Sequence, residues 1–331
     1  MKSKLLVIGC GSIGRRHLRN LKALGAEKLI AFDPSTENLA QAREETKAEI
    51  FDDFDKVLNQ AIDVCFVCSP SSLHVEQAIA AAQKGWHLFI EKPLSHNSDG
   101  ISELEKIIEE KNLISLVGCN MRFHPGPKKV KELLEKNAIG KVLFADVYAG
   151  SYLPEWRPAT DYRTSYSGRA ELGGGAILDC IHEIDLAFWY SGAGREVFAL
   201  AERLSLDIET EDTAFLILRH ANGILSEIHL DYVQRTYERG CKIVGENGSI
   251  FWDFNSKQVK LYRAKEKEWE TFLQPEDWEI NKMYLDETRH FLDCLERDEQ
   301  TICPVSQAAR VLKIALAAKE SSEKRTFVSV N

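Results

Sequence analysis

Residues 4–25, KLLVIGCGSIGRRHLRNLKALG, leave few ways for this chain to fold. A short apolar strand runs into Gly9-Cys10-Gly11-Ser12-Ile13-Gly14, and a helix with Leu18, Leu21 and Leu24 on its inner side follows. Gly9 suits the tight turn, Gly11 lets the backbone approach a pyrophosphate, and Gly14 lets helix and strand pack closely. Ser12 and Ile13 open the helix, whose first N–H groups can donate to an anion. The spacing alone is common. Its place between a strand and a helix gives it weight.

A second strand, KLIAFD, ends at Asp33. A carboxylate there can accept both hydroxyls of an adenosine ribose and would repel a 2′-phosphate, which favours NAD. The same aspartate could instead start a helix at DPSTE, and Arg15 and Arg16 could offset its charge, so NADP stays possible. Strand–helix alternation continues through DVCFVCSPSSLHVEQAIAAAQKG, HLFIEKPLS and LISLVGCN. Repeated βα units predict a doubly wound parallel sheet over residues 1–120, with its ligand at the strands' carboxyl ends. Ser69-Pro70 and Glu91-Lys92-Pro93 occupy such ends. Burying an unpaired ammonium is costly, so Lys92 is expected to project toward the cofactor cleft rather than into the core.

The full chain, 331 residues, is more than one core usually fills, and a second domain is expected over 121–331. Net charge is −9 with no block of like charges, which argues against nucleic acid or an anionic membrane as a partner. The apolar start, Leu5–Ile8, is too short for a signal segment. Cys65 and Cys68 lie three apart on a strand and so point to opposite faces, where they can neither chelate nor cross-link. Buried thiols in a reducing, cytoplasmic setting are the expectation.

Beyond Arg122, KVLFADVYAG, EVFALAERLSL, TAFLILRHA, GILSEIHLDYV, RGCKIVG and GSIFWDF read as strands joined by short turns such as Ala221-Asn222-Gly223. They predict an α+β domain on a large, mostly antiparallel open sheet, covered by helices near 126–137, 176–191 and 280–297. In ELGGGAILDCIHEIDL, Asp179, His182 and Asp185 recur every three residues and are expected on one face of a continuous helix. A cap, a salt bridge or a satisfied buried histidine would explain them without chemistry. A metal would need further ligands that the sequence does not offer, so none is expected. The preceding loop carries Trp156, Arg157, Tyr162, Arg163, Tyr166 and Arg169. These groups could grip an anionic part of a substrate or pack on a neighbouring subunit.

Together, GCGSIGRRH, CSPSSLHVEQAIAAAQKGWHLFIEKPLS, VGCNMRFHP, GGGAILDCIHEIDL and NKMYLDETRHFLDCL resemble the Gfo/Idh/MocA family of nicotinamide-dependent oxidoreductases. The resemblance implies that Lys92 lies beside the nicotinamide and the reacting carbinol, where it stabilises an alkoxide. It places Ser69, Pro70, His74, Glu91 and Asn120 on the cofactor side, Arg122 near the nicotinamide, and His182 as the base. Asp179 would orient substrate, though many members have it four residues before the histidine and here it is three. The activity implied is hydride transfer with a secondary alcohol or ketone of a sugar, inositol or nucleotide sugar, in a homodimer or homotetramer formed through the second sheet. Elimination or glycoside cleavage through transient oxidation, and a non-catalytic NAD sensor, are the alternatives.

Overall fold

The computed structural model describes residues 3–158 and 160–330. In chain order its elements are β1 (Lys4–Ile8), α1 (Ser12–Ala23), β2 (Lys28–Phe32), α2 (Thr36–Thr46), β3 (Glu49–Phe51), α3 (Phe54–Leu58), β4 (Val64–Val67), α4 (His74–Gln83), β5 (His87–Ile90), α5 (Ile101–Glu110) and β6 (Ser115–Val117). Then come α6 (Pro125–Glu135), β7 (Val142–Gly150), α7 (Leu153–Trp156), α8 (Ala176–Asp179), α9 (Ile181–Ser191), β8 (Gly194–Glu202), β9 (Thr213–His220) and β10 (Leu225–Asp231). The chain closes with β11 (Glu238–Gly245), β12 (Gly248–Asp253), β13 (Gln258–Arg263), β14 (Glu268–Leu273), α10 (Asn281–Arg297), α11 (Val305–Lys324) and β15 (Val328–Ser329). Contacts divide it into two compact units: residues up to Asn120 with Glu279–Ala309, and Met121–Trp278 with Arg310 onward. Among the described residues no helix is long and apolar enough to cross a membrane.

The first unit is a six-stranded parallel sheet in the order β3-β2-β1-β4-β5-β6. Buried on both faces, its central strands are continuous apolar runs, as a doubly wound sheet requires. Phe66 and Phe89 stack at 4.6 Å, and Phe291 of α10 meets each edge-on at 5.8 Å. This corrects one expectation: the helix near 280–297 covers the parallel sheet, not the second one. Its apolar stripe declared that a face must be buried, but not against which sheet. The loop after α10 also runs beside β6, where Val117 N–H donates to the Cys303 carbonyl at 2.8 Å. Burial pushes the Cys65 and Cys68 thiols up, so both stay uncharged.

The second unit holds a nine-stranded sheet, β14-β13-β12-β11-β7-β10-β9-β8-β15, antiparallel except for the β7–β10 pair. Strand β9 shows why one face is covered: Ala214, Leu216 and Leu218 are buried, while Phe215, Ile217 and Arg219 point out. Helices α6 and α9 pack on the covered face. β13 and β14 extend the sheet beyond the strands expected from sequence; β14 is exposed nearly throughout, so it carries no alternation to read. The continuous helix expected over 176–191 does not form. Cys180 adopts φ −89° and ψ 32°, and the chain breaks there into α8 and α9.

Candidate functional site

In the first unit the glycine turn is shaped by contacts that side chains would break. Gly9 has φ +84°, and a Cβ there would lie 2.6 Å from the Ser69 nitrogen. At Gly14 it would lie 1.8 Å from the Gly9 carbonyl oxygen. At Gly11 it would meet nothing within 4 Å, and Gly11, the N-cap residue, brings no side-chain cap to the helix that Ser12 and Ile13 begin. The open face and uncapped helix start fit a dinucleotide's pyrophosphate.

Asp33 is tied into this turn. Its Oδ2 accepts the Cys10 N–H at 2.7 Å and the Asn38 amide at 3.2 Å, and its Oδ1 accepts the Ser35 N–H at 2.8 Å. Three donors leave part of the carboxylate's capacity for ribose hydroxyls. The helix that follows is capped by Ser35, whose hydroxyl accepts the Asn38 N–H, so Asp33 is not needed as the cap. Arg15 pairs with Glu45 and donates to the Cys10 carbonyl, while Arg16 lies over the Tyr284 ring at 4.4 Å.

Lys92 is half-buried at the end of β5, and its N–H donates to Glu91 Oε2 at 3.1 Å. The Lys92–Pro93 peptide is cis. His74 is buried rather than open to a ligand: its ring nitrogens lie 2.8 Å from the Pro93 and Ser69 carbonyl oxygens, joining the ends of β5 and β4. Burial holds its pKa below the ordinary imidazole value despite those carbonyls. Ser69 donates its hydroxyl to Gln77, Pro70 is exposed and Asn120 is buried. Glu91 is buried too, with Oε1 at 2.7 Å from His17 Nε2. Burial pushes the Glu91 pKa up, but the His17 hydrogen bond and the neighbouring positive charges bring it below the usual carboxylate range. Both Glu91 and His74 thus support the strand end.

In the second unit His182 is buried in the first turn of α9, just ahead of two acidic residues that anchor the helix. Asp185 takes a two-pronged contact from Arg122, Nε to Oδ2 at 2.9 Å and Nη2 to Oδ1 at 2.5 Å, with both side chains fully buried. Glu183 is paired with Arg239 at 2.8 Å. Arg122, expected near the nicotinamide, thus anchors helix α9 through Asp185. Asp179, at the end of α8, accepts the Ser167 hydroxyl at 2.6 Å and the Tyr232 hydroxyl at 3.2 Å.

In the loop before α8, Trp156, Arg157, Tyr162 and Ser167 line a small hollow. Trp156 donates to the Ser151 hydroxyl at 2.7 Å and packs edge-on against Tyr232. Arg163 is paired with Asp161 and Arg169 with Glu171, so both charges are already compensated within the loop. Sequence reasoning missed Ser167 and Tyr232 as partners of Asp179. Tyr232 follows directly on β10, where a polar aromatic at a strand end is the one available signal.

Residues 3–119 match the model of an oxidoreductase family with an NAD-binding Rossmann fold, and residues 128–251 match the GFO/IDH/MocA C-terminal domain. The chain is 30% identical to myo-inositol 2-dehydrogenase of Thermotoga maritima, over 98% of this chain and 97% of that protein. Among solved structures it resembles levoglucosan dehydrogenase in complex with NADH, with a TM-score of 0.90, 21% identity and all of both chains covered. It also resembles the WlbA dehydrogenase of Bordetella pertussis in complex with NADH and UDP-GlcNAcA, with a TM-score of 0.86, 23% identity, and 99% and 97% of the two chains covered. These structural likenesses show the fold.

Proposed function

The chain belongs to the Gfo/Idh/MocA family of NAD-dependent oxidoreductases acting on CH–OH groups, and from that premise we propose the substrate and the residues that act on it. The substrate is a secondary alcohol, or the matching ketone, of an inositol, a sugar or a nucleotide sugar. An end-to-end likeness to an inositol dehydrogenase supports the cyclitol and sugar class. The observation that carries the chemistry is Lys92, an ammonium at the end of a buried strand with its own N–H fixed by Glu91.

Bound NAD supplies the hydride acceptor. Gly9, Gly11 and Gly14 shape the turn for its pyrophosphate, and Asp33 takes the ribose hydroxyls. His182 accepts the carbinol proton, and Lys92 stabilises the alkoxide by charge. Asp179, oriented by Ser167 and Tyr232, binds a substrate hydroxyl. A screen of cyclitols, sugars and nucleotide sugars, followed by the absorbance of reduced nicotinamide, tests the reading. Cofactor binding with no turnover on any of them would oppose it.

The outer face of the second sheet supports a homodimer or homotetramer. Phe144, Leu200, Phe215, Ile217, Leu225 and Phe251 are exposed there, a patch that a second copy would cover. Light scattering of native protein and Ile217→Glu tests this, with dissociation of the variant expected.

A further inference from the structure

Behind the Lys92 strand end lies a buried pair that hydride transfer itself does not use. His17, on α1, has no exposed surface, and its ring is walled by Phe89 at 4.8 Å, Phe66 at 5.6 Å and Tyr284 at 6.4 Å. Its Nδ1 is buried with no partner among the described residues, and its Nε2 meets Glu91 Oε1 at 2.7 Å. The other carboxylate oxygen takes the Lys92 N–H. Gly118 closes the remaining side: a Cβ there would already lie 3.2 Å from Glu91 Oε2. The carboxylate therefore has one donor from a helix, one from the lysine backbone, and little room to turn. A carboxylate in such an aromatic box would not stay ionised unaided. Lys92, His74, Tyr284, Glu287, Cys68 and Arg16 are ionisable groups around the pair.

We propose that His17 is a positioning residue for Lys92: by holding Glu91 as a carboxylate in one orientation, it fixes the backbone from which Lys92 projects and keeps a negative charge beside the ammonium. This rests on Lys92 being the group that stabilises the alkoxide. His17 touches neither cofactor nor substrate and acts through Glu91. A helix that already starts the dinucleotide turn thereby also sets the reacting strand end.

Three variants separate this role from packing. His17→Phe fills the ring space without a donor, His17→Gln keeps a donor, and Glu91→Gln removes the charge. Two readouts are needed: kcat and KM with the NAD+ dissociation constant, and the rate at which Lys92 of the full chain reacts with trinitrobenzenesulfonate at about pH 8, read by peptide mass spectrometry. His17→Phe is expected to lower kcat by roughly 10–100-fold, the scale of a misplaced reacting group. NAD+ affinity should stay within about threefold, and Lys92 modification should quicken at least about threefold, since losing a neighbouring anion lowers an ammonium's pKa. His17→Gln should keep kcat within about fivefold of native, and His17→Phe combined with Glu91→Gln should be no slower than Glu91→Gln alone. Equal losses in His17→Phe and His17→Gln would overturn the proposal, as would native Lys92 reactivity in His17→Phe. Should His17→Phe not fold, Glu91→Gln decides by the same Lys92 measurement. If the native protein turns over no sugar while Lys92 reactivity shifts as stated, the substrate reading fails and the positioning role stands.

Discussion

The two units hold their proposed site residues by different means. In the first, the contacts that set Asp33 and Lys92 gather at strand ends and the turns beside them: the Cys10 N–H reaches Asp33, Glu91 reaches its own neighbour Lys92, and His17 of α1, 74 residues away, braces Glu91. In the second, His182 sits on a helix placed by Arg122 and Arg239, which lie 63 and 56 residues from their acidic partners. A parallel sheet brings its carboxyl ends together by topology, so a local motif there already has an address. A helix laid on an open sheet has no such address, and buried ion pairs supply it. Damage in the first unit should therefore show in function, and damage in the second in function and stability together.

The largest expected effect is on the base proposed in the second unit. His182→Ala should slow alcohol oxidation by about 10²–10⁴-fold, the usual range for a general base, with NAD+ affinity unchanged by calorimetry. A parallel fall in NAD+ affinity would break the division between the units. Asp185→Ala removes the two-pronged carboxylate partner of the fully buried Arg122 guanidinium and should destabilise the protein by about 3–5 kcal/mol in denaturant unfolding. Lys92→Met, in contrast, should cost about 10²-fold in kcat while shifting stability by less than about 0.5 kcal/mol. If these two variants behaved alike in both assays, the contrast would be wrong.

A smaller effect is tied to pH. His124 caps α6, its Nδ1 accepting the Gly126 N–H at 3.1 Å, which requires a neutral ring. Burial, and then the Arg239 charge, push its pKa down to about 4. The unfolded chain therefore takes up this proton first as acid is added, so stability is full above about pH 6.5 and falls toward pH 4. Native protein should lose about 2 kcal/mol more than His124→Phe between about pH 7 and about pH 5. Equal losses would remove His124 as a cause. The smallest effect is cofactor choice: NAD(H) should bind at least about tenfold tighter than NADP(H), or about 1.4 kcal/mol, and Asp33→Ser should narrow the gap.

The same contrast governs what could be read from sequence. The glycine turn, Asp33 and the Lys92 strand end were legible because each is a local pattern with a fixed meaning in a βα unit. Asp179 and His182 stood out by their spacing, but the break at Cys180 that separates them was not legible, since both fit one helical period. The partners of Arg122 and Asp179 were not legible either. Nothing in a buried arginine's local sequence names a carboxylate on a distant helix, and the stripe on α10 did not say which sheet it would cover.

The division of labour is tested most directly by kcat/KM for alcohol oxidation against pH in native protein, Lys92→Met and His182→Ala. An imidazole titrates near ~6.5 when unperturbed, and only its neutral form can take the carbinol proton, so the native rate should fall on the acidic side. Lys92→Met should keep that acidic limb at a lower rate, and His182→Ala should lose it. An unaltered acidic limb in His182→Ala would contradict the assignment of the base to the second unit.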